Sequence, residues 1–201
     1  MGSVSKEKKA APRTVTIYTE SNPNPNSMKF VANYMLVDNG ETYDFPNKKA
    51  AVNAPLAAKL FEAFGFVDRV FYMNNFVTVT KTEDVEWQEA RILVSQMIKE
   101  HLEKEEPLLL EGEEAVAEVE TEEENEIITQ IKDVLDEYIK PAVEMDGGAI
   151  TFDSYEDGVV RVLLQGSCSG CPSSTITLKA GIESLLQRAI PEIKSVEAKE
   201  V

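Results

Sequence analysis

Apolar positions along the first hundred residues switch between a period of two and a period near 3.6. Thr14-Val-Thr-Ile-Tyr-Thr19 and Ser27-Met-Lys-Phe-Val-Ala32 alternate apolar and polar side chains, which predicts two half-buried strands. Tyr34 to Phe45 predicts another strand pair, turning at Asp38-Asn-Gly40, where Asn-Gly adopts positive φ at little cost. Ala54 to Phe64 reads as a short helix with Pro55 in its first turn and Gly65 as its stop. Val67-Asp-Arg-Val-Phe-Tyr72 and Phe76-Val-Thr-Val-Thr80 predict a hairpin around Asn74 and Asn75. From Asp84 to Leu102, the stripe Ala90, Leu93, Val94, Met97 and Ile98 predicts a second helix. These elements fit a sheet with helices on one side. Ser21-Asn-Pro-Asn-Pro-Asn-Ser27, between the first two strands, is a turn-rich loop, suited to a plain connection or to recognising a partner.

The pattern then breaks. Residues 103–126 hold twelve glutamates and one lysine, Lys104, with no aromatic residue. A self-repelling segment this poor in apolar residues cannot offset its ordering entropy, so a solvated linker is expected over 103–125. Leu108, Leu109 and Leu110 are its one apolar patch.

A second block follows. Ile127, Ile128, Ile131, Val134, Leu135 and Tyr138 recur at helical spacing, with the helix expected to end near Pro141. Ala149–Phe152 and Gly158–Leu164 predict strands turning at Glu156-Asp-Gly158. Leu178, Ile182, Leu185 and Leu186 predict a helix from Ser174 to Ala189, and Lys194 to Lys199 a last strand. The expected fold class is α+β in two small domains, 14–102 and 126–201, with 1–13 read as a disordered tail or cloning remnant.

Composition narrows the function classes. The chain has 201 residues, 43% hydrophobic and 28% charged, the profile of a globular protein. No uninterrupted apolar run spans a membrane, and the basic N-terminus lacks the apolar core of a secretory signal. The net charge of −16 argues against a binder of nucleic acid, although the linker supplies most of it. Two cysteines without an export signal indicate a reducing compartment, with the cytoplasm as the expectation.

Those cysteines stand in Gly166-Ser-Cys168-Ser-Gly-Cys171-Pro-Ser-Ser, between a predicted strand and a predicted helix. Unpaired first-turn amides and the helix dipole favour thiolate there, and thiolate is the metal-binding form. Gly166 and Gly170 let the chain curl, Pro172 fixes φ, and Ser173 or Ser174 can cap the helix. Two thiolates do not complete a tetrahedral site. The single histidine, His101, lies 67 positions upstream at a helix end, where a cap or surface role is expected. A pair of buried structural thiols is disfavoured by the polar, turn-like residues around them, and three readings stand: a metal site shared between two copies, a thiol–disulfide oxidoreductase, and a zinc-stabilised interaction module. The expected order of elements lacks a βαβ unit, which weighs against the oxidoreductase.

Pro141-Ala-Val-Glu-Met-Asp-Gly-Gly148, followed by the strand pair and the Cys-x-x-Cys-Pro run, resembles the C-terminal domain of NifU-like (Nfu) iron–sulfur proteins. Thr14–Leu102, with Asn-Pro-Asn-Pro-Asn-Ser-Met-Lys-Phe and Ala-Pro-Leu-Ala-Ala-Lys-Leu-Phe, resembles the N-terminal domain found beside it. The resemblance implies a carrier and not an enzyme. Cys168 and Cys171 of each protomer of a homodimer would bind a [4Fe–4S] cluster and pass it to apo-proteins, without nucleic acid or membrane. Asp146, Gly147 and Gly148 carry over as a motif. The glycines are expected to turn tightly into the strand, and Asp146 to cap or bond locally.

Overall fold

The computed structural model describes residues 14–110, 126–169 and 172–200. The N-terminal half builds a five-stranded antiparallel sheet from β1 (Ile17–Ser21), β2 (Ser27–Ala32), β3 (Thr42–Phe45), β4 (Val67–Met73) and β5 (Phe76–Lys81), in the order β1-β2-β5-β4-β3. Helices α1 (Pro55–Ala63) and α2 (Trp87–Glu103) cover one face. Leu56 and Leu60 of α1, with Val94 and Ile98 of α2, close over Phe30, Val70, Tyr72, Val77 and Val79. Pro55 begins α1, where its missing N–H goes unneeded, and the chain leaves the helix at Phe64, just before Gly65.

The first strand, β1, is partly exposed as expected, but β2 to β5 are not half-buried ribbons. The alternate positions Val31, Phe71, Met73 and Phe76 form a second apolar cluster, which Ala149 of the C-terminal half joins. Burial on both faces explains why Val70–Met73 of β4 is a continuous apolar run, and why Thr78 of β5 is buried. The layer of helices was legible; the opposite layer is the other domain.

Three local expectations are corrected. Tyr34–Val37 is not a strand, and β3 pairs with β4 alone. The Leu36 and Val37 amides instead donate to the Asn74 carbonyl at 2.6 and 3.1 Å, so the β4–β5 turn captures the segment. His101 is neither a cap nor a surface group, being 2% exposed. Its Nε2 lies 3.1 Å from the Pro107 carbonyl, and Lys59 pairs with Glu106 beside it. Residues up to 110 thus fold back on α1 and α2: Leu108 and Leu109 pack on the first core, and the Leu110 amide donates to the Asn53 carbonyl. The rest of the expected linker, 111–125, and the expected tail, 1–13, lie outside the described residues.

The C-terminal half begins with α3 (Glu126–Val134), a π-helical turn at Leu135–Ile139, and α4 (Lys140–Met145). The helix was expected to stop near Pro141 but runs past it. The Lys140 amide bonds back to the Leu135 carbonyl, and this one widened turn accommodates the proline without ending the helix. Strands β6 (Gly148–Glu156) and β7 (Val159–Gly166) pair antiparallel, with a bulge between Phe152 and Ser154. Helix α5 (Pro172–Ala189) then returns the chain to β8 (Ser195–Glu200), which lies parallel to β7. Ile131, Leu135, Phe152, Val162, Leu164, Ile182 and Leu186 form this half's own core. The molecule is α+β, with two sheets and a core for each. Among the described residues no helix is long and apolar enough to cross a membrane.

Candidate metal centre

The cysteine loop joins the end of β7 at Gly166 to the start of α5 at Pro172. Serines hold it from within. The Ser167 hydroxyl donates to the Asp146 carbonyl at 2.5 Å, and the Ser167 amide to the Gly147 carbonyl at 3.3 Å. The Ser169 hydroxyl donates to the Leu164 carbonyl at 2.7 Å, and its amide to the Gly166 carbonyl at 3.2 Å. Both serines are buried, so the loop's polarity, which reads as solvent-facing in sequence, is consumed internally.

These bonds give the Asp-Gly-Gly run a physical role. Asp146 and Gly147 present carbonyls that anchor the cysteine loop. The bond at Asp146 differs from the local side-chain contact expected: its main-chain oxygen accepts it, from a residue 21 positions away. Gly148 provides the seat for the thiol: a Cβ there would lie 2.9 Å from the Cys168 sulfur and 2.7 Å from the Gln165 carbonyl. Only glycine permits that approach.

Cys168 is 8% exposed and lines a cavity of about 370 Å³. Its walls are Ala142, Val143 and Asp146 on one side, Thr177 and Leu178 of α5 on another, and Pro23 and Asn24 on a third. Burial raises the Asp146 carboxyl above its ordinary range, with Lys29 pulling it down. Cys171 and Gly170 lie outside the described residues, as do the side chains of Ser173 and Ser174, to which a capping role was assigned. The structure thus places Cys168 at the junction of strand and helix. His101 is not brought to the site. Among the described residues, no three His, Cys, Asp or Glu side chains converge as a metal-binding group.

The Asn-Pro loop, read in sequence as a plain connection or a recognition loop, contacts this region, as do several residues that the sequence reading did not single out. The Asn24 side-chain amide donates to the Ser167 carbonyl at 3.0 Å, placing the Asn-Pro loop on the cysteine loop. The Thr78 hydroxyl donates to the Gly147 carbonyl at 2.7 Å. Lys29 Nζ reaches the Glu144 and Met145 carbonyls at 3.3 and 3.4 Å, at the C-terminal end of α4, where a cation is favoured. Asp44 Oδ2 accepts from Arg69 at 2.5 Å and from the Gly166 amide at 3.3 Å. In sequence, the available signals were the Asn-Pro loop and the single charged residue, Lys29, inside β2.

Two buried titratable groups carry pH dependence of opposite sign. Burial pushes the Asp44 carboxyl from 3.8 up to about 6, against Arg69 and the backbone donors at Gly166 and Phe45. The folded chain therefore holds this proton more tightly than the unfolded chain. Stability from Asp44 falls as pH rises from about 4 to about 6 and is level above, a change of about 3 kcal/mol. Burial holds His101 below its ordinary 6.5, with the Pro107 carbonyl opposing. Its contribution is present above that value and is lost as pH falls below it. In urea denaturation, the parent-minus-Asp44→Asn difference in unfolding free energy should fall by about 3 kcal/mol between pH 4 and pH 7. A difference that does not vary with pH would show that Asp44 is not held in this way.

The parallel pairing of β7 with β8 across α5 makes a βαβ unit, contrary to the expected arrangement. The last strand was too short and polar for its partner or direction to be read in sequence. The topology therefore does not weigh against a thiol–disulfide oxidoreductase.

Residues 17–105 match the family described as "Scaffold protein Nfu/NifU N terminal", and residues 131–197 match the "NifU-like domain". A Drosophila persimilis protein named "NFU1 iron-sulfur cluster scaffold homolog, mitochondrial" is 42% identical over 92% of this chain and 65% of its own length. The Arabidopsis thaliana "NifU-like protein 4, mitochondrial" is 39% identical over 92% of this chain and 66% of its own length. The chain thus spans about two thirds of the length of the curated relatives it matches. A solution NMR structure of a Saccharomyces cerevisiae NifU-like protein aligns with 55% of this chain and 96% of that one, at 19% identity and a TM-score of 0.46. None of these names points to thiol–disulfide exchange. The cytoplasmic expectation is overturned, since these relatives are mitochondrial by name. Cysteine usage reports a reducing environment, which does not distinguish the cytoplasm from a reducing organelle interior.

Proposed function

This chain belongs to the Nfu/NifU family, and from that premise we propose that it is an iron–sulfur cluster carrier and not an enzyme. Two copies, each giving Cys168 and Cys171, hold a [4Fe–4S] cluster between them and pass it to apo-proteins. The observation that carries this reading is the anchored cysteine loop, which presents Cys168 to a cavity whose other described walls supply no second thiolate or imidazole. A second copy supplies the missing pair, giving the four thiolates that such a cluster takes. Met145 and Ile176 support the same arrangement. They are 75% and 69% exposed, each neighbours a residue of the cavity wall, and together they offer apolar surface to a partner.

Transfer is ligand exchange without net redox. An acceptor thiolate forms a bond to iron as a cysteine of the carrier leaves, and the departing thiolate takes up a proton. A cage shared by two copies releases its cargo readily, because separation of one copy removes half the ligands.

Anaerobic reconstitution with iron and sulfide, followed by metal analysis and sizing, tests the proposal. About four irons and four sulfides per dimer are expected, with the protein monomeric before loading. A metal-free monomer with strong disulfide-reductase activity would overturn it, and one bound zinc in place of iron would favour a structural site.

A further inference from the structure

The side chains of Asn24, Lys29, Thr42, Asp44 and Thr78 all reach across to the C-terminal domain, and each lands within residues 144–147 or 165–167. Those two segments are the ones that frame Cys168. The apolar seam beside them brings Ala149, immediately after the glycine seat, against the outer face of the first sheet. The N-terminal domain is therefore applied to the cysteine loop itself and to the turn that anchors it.

Among the described residues, the Cys168 sulfur has the cavity on one side. Gly148 occupies the other, close enough that a methyl group there would strike the sulfur. Pro23 and Asn24 of the N-terminal domain form one wall of the cavity. Asn24 is 3% exposed, so it is wedged in place and not waving at the rim. A ligand shared between Cys168 and a second copy would occupy this cavity, beside the wall that Pro23 and Asn24 form.

Resting on the proposed dimeric carrier, we infer that the N-terminal domain is a gate. In the closed chain it covers Cys168 on the side a second copy approaches, and it must swing away before a cluster bridges two copies. Covalent connection permits this, because the fifteen residues 111–125 can span up to about 50 Å. The bonds that hold the gate suit exchange. Most are single hydrogen bonds to main-chain oxygens, each contributing modestly on balance because water replaces it on opening. Competition then links the two states: a second copy arriving with its thiolates and the N-terminal domain claim the same surface. Cluster loading favours the open chain, and loss of the cluster lets the gate close.

The test uses the full-length chain without metal. Cys168 alkylation by N-ethylmaleimide is timed by peptide-resolved mass spectrometry in the parent and in two independently loosened variants. Asn24→Ala combined with Thr78→Val removes two bridges, and Ala149→Glu puts a carboxylate into the apolar seam. Circular dichroism melts select whichever variant retains both folded domains. Alkylation of Cys168 should be about tenfold faster or more in the loosened chains, the scale set by two lost hydrogen bonds. Loading under anaerobic reconstitution should be faster in the same variants. Equal alkylation rates in parent and variants would overturn the gate, whether fast or slow, because the covering would then owe nothing to the N-terminal domain. Faster alkylation with unchanged loading would overturn it as a control on loading. Failure of every chain to hold a cluster would sink the carrier reading instead, and the alkylation rates alone would then judge whether Cys168 is covered.

Discussion

Replacing Cys168 with alanine is expected to reduce the iron and sulfide retained after reconstitution from about four of each per dimer to background. The fold should survive. The change removes one sulfur atom from the edge of the C-terminal core, where Cys168 packs with Val143 and Leu164. A loss of that size costs about 1 kcal/mol, within what a domain tolerates. The ligand loss is far more severe, because in the proposed symmetric dimer one substitution would delete two of the four thiolates. Cys171→Ala should match it. Iron and sulfide assays beside a circular dichroism melt check both halves of the expectation. A Cys168→Ala chain that still holds about four irons per dimer would remove this residue from the site. Loss of cluster together with loss of the melting transition would instead assign Cys168 a packing role.

How far the sequence anticipated this arrangement depended on the range of each interaction. Helices α1 and α5 were legible because a single apolar stripe and local stop signals define them. The hairpins were legible because turn residues and period-two runs adjoin in sequence. The cysteine loop was legible as a junction between strand and helix. What escaped was set by distant partners. Tyr34–Val37 has strand-like residues, but its amides go to Asn74. Pro141 looks like a stop until a π-helical turn absorbs it. His101 looks exposed until residues 104–110 fold over it. The outer face of the first sheet was hardest to read. Periodicity reports that a strand has apolar residues but not what covers its second face, and here the cover is a domain more than sixty residues later in the chain. Asn24 and Thr78 could not have been assigned to the cysteine loop without that contact.

Gly166→Ala should be among the most damaging single substitutions outside the cysteines, although it adds only one methyl group. Gly166 has φ of +62°, in the left-handed region where an alanine costs about 1 kcal/mol or more. The methyl would also stand 2.8 Å from the Gly147 carbonyl and 2.9 Å from two carbons of the Phe71 ring. Neither neighbour yields easily. The carbonyl is main chain and already accepts from the Ser167 amide and the Thr78 hydroxyl. Phe71 is fully buried in the apolar seam. Overpacking at such a site adds about 1–3 kcal/mol, so the total is roughly 2–4 kcal/mol. In a chain of this size that corresponds to a fall in melting temperature of about 5–15 °C. The damage is directional as well. Pushing Gly147 away loosens the cysteine loop from its anchor, while pushing Phe71 away lifts the N-terminal domain, so faster Cys168 alkylation and poorer cluster retention should accompany the thermal loss. Gly181→Ala provides the internal contrast. It lies in α5, a Cβ there meets nothing within 4 Å, and alanine is the better helix former, so the same substitution should stabilise by up to about 1 kcal/mol. Thermal melts of the two variants beside the parent decide the matter. Similar melting temperatures for both would show that Gly166 is not held between the Gly147 carbonyl and Phe71.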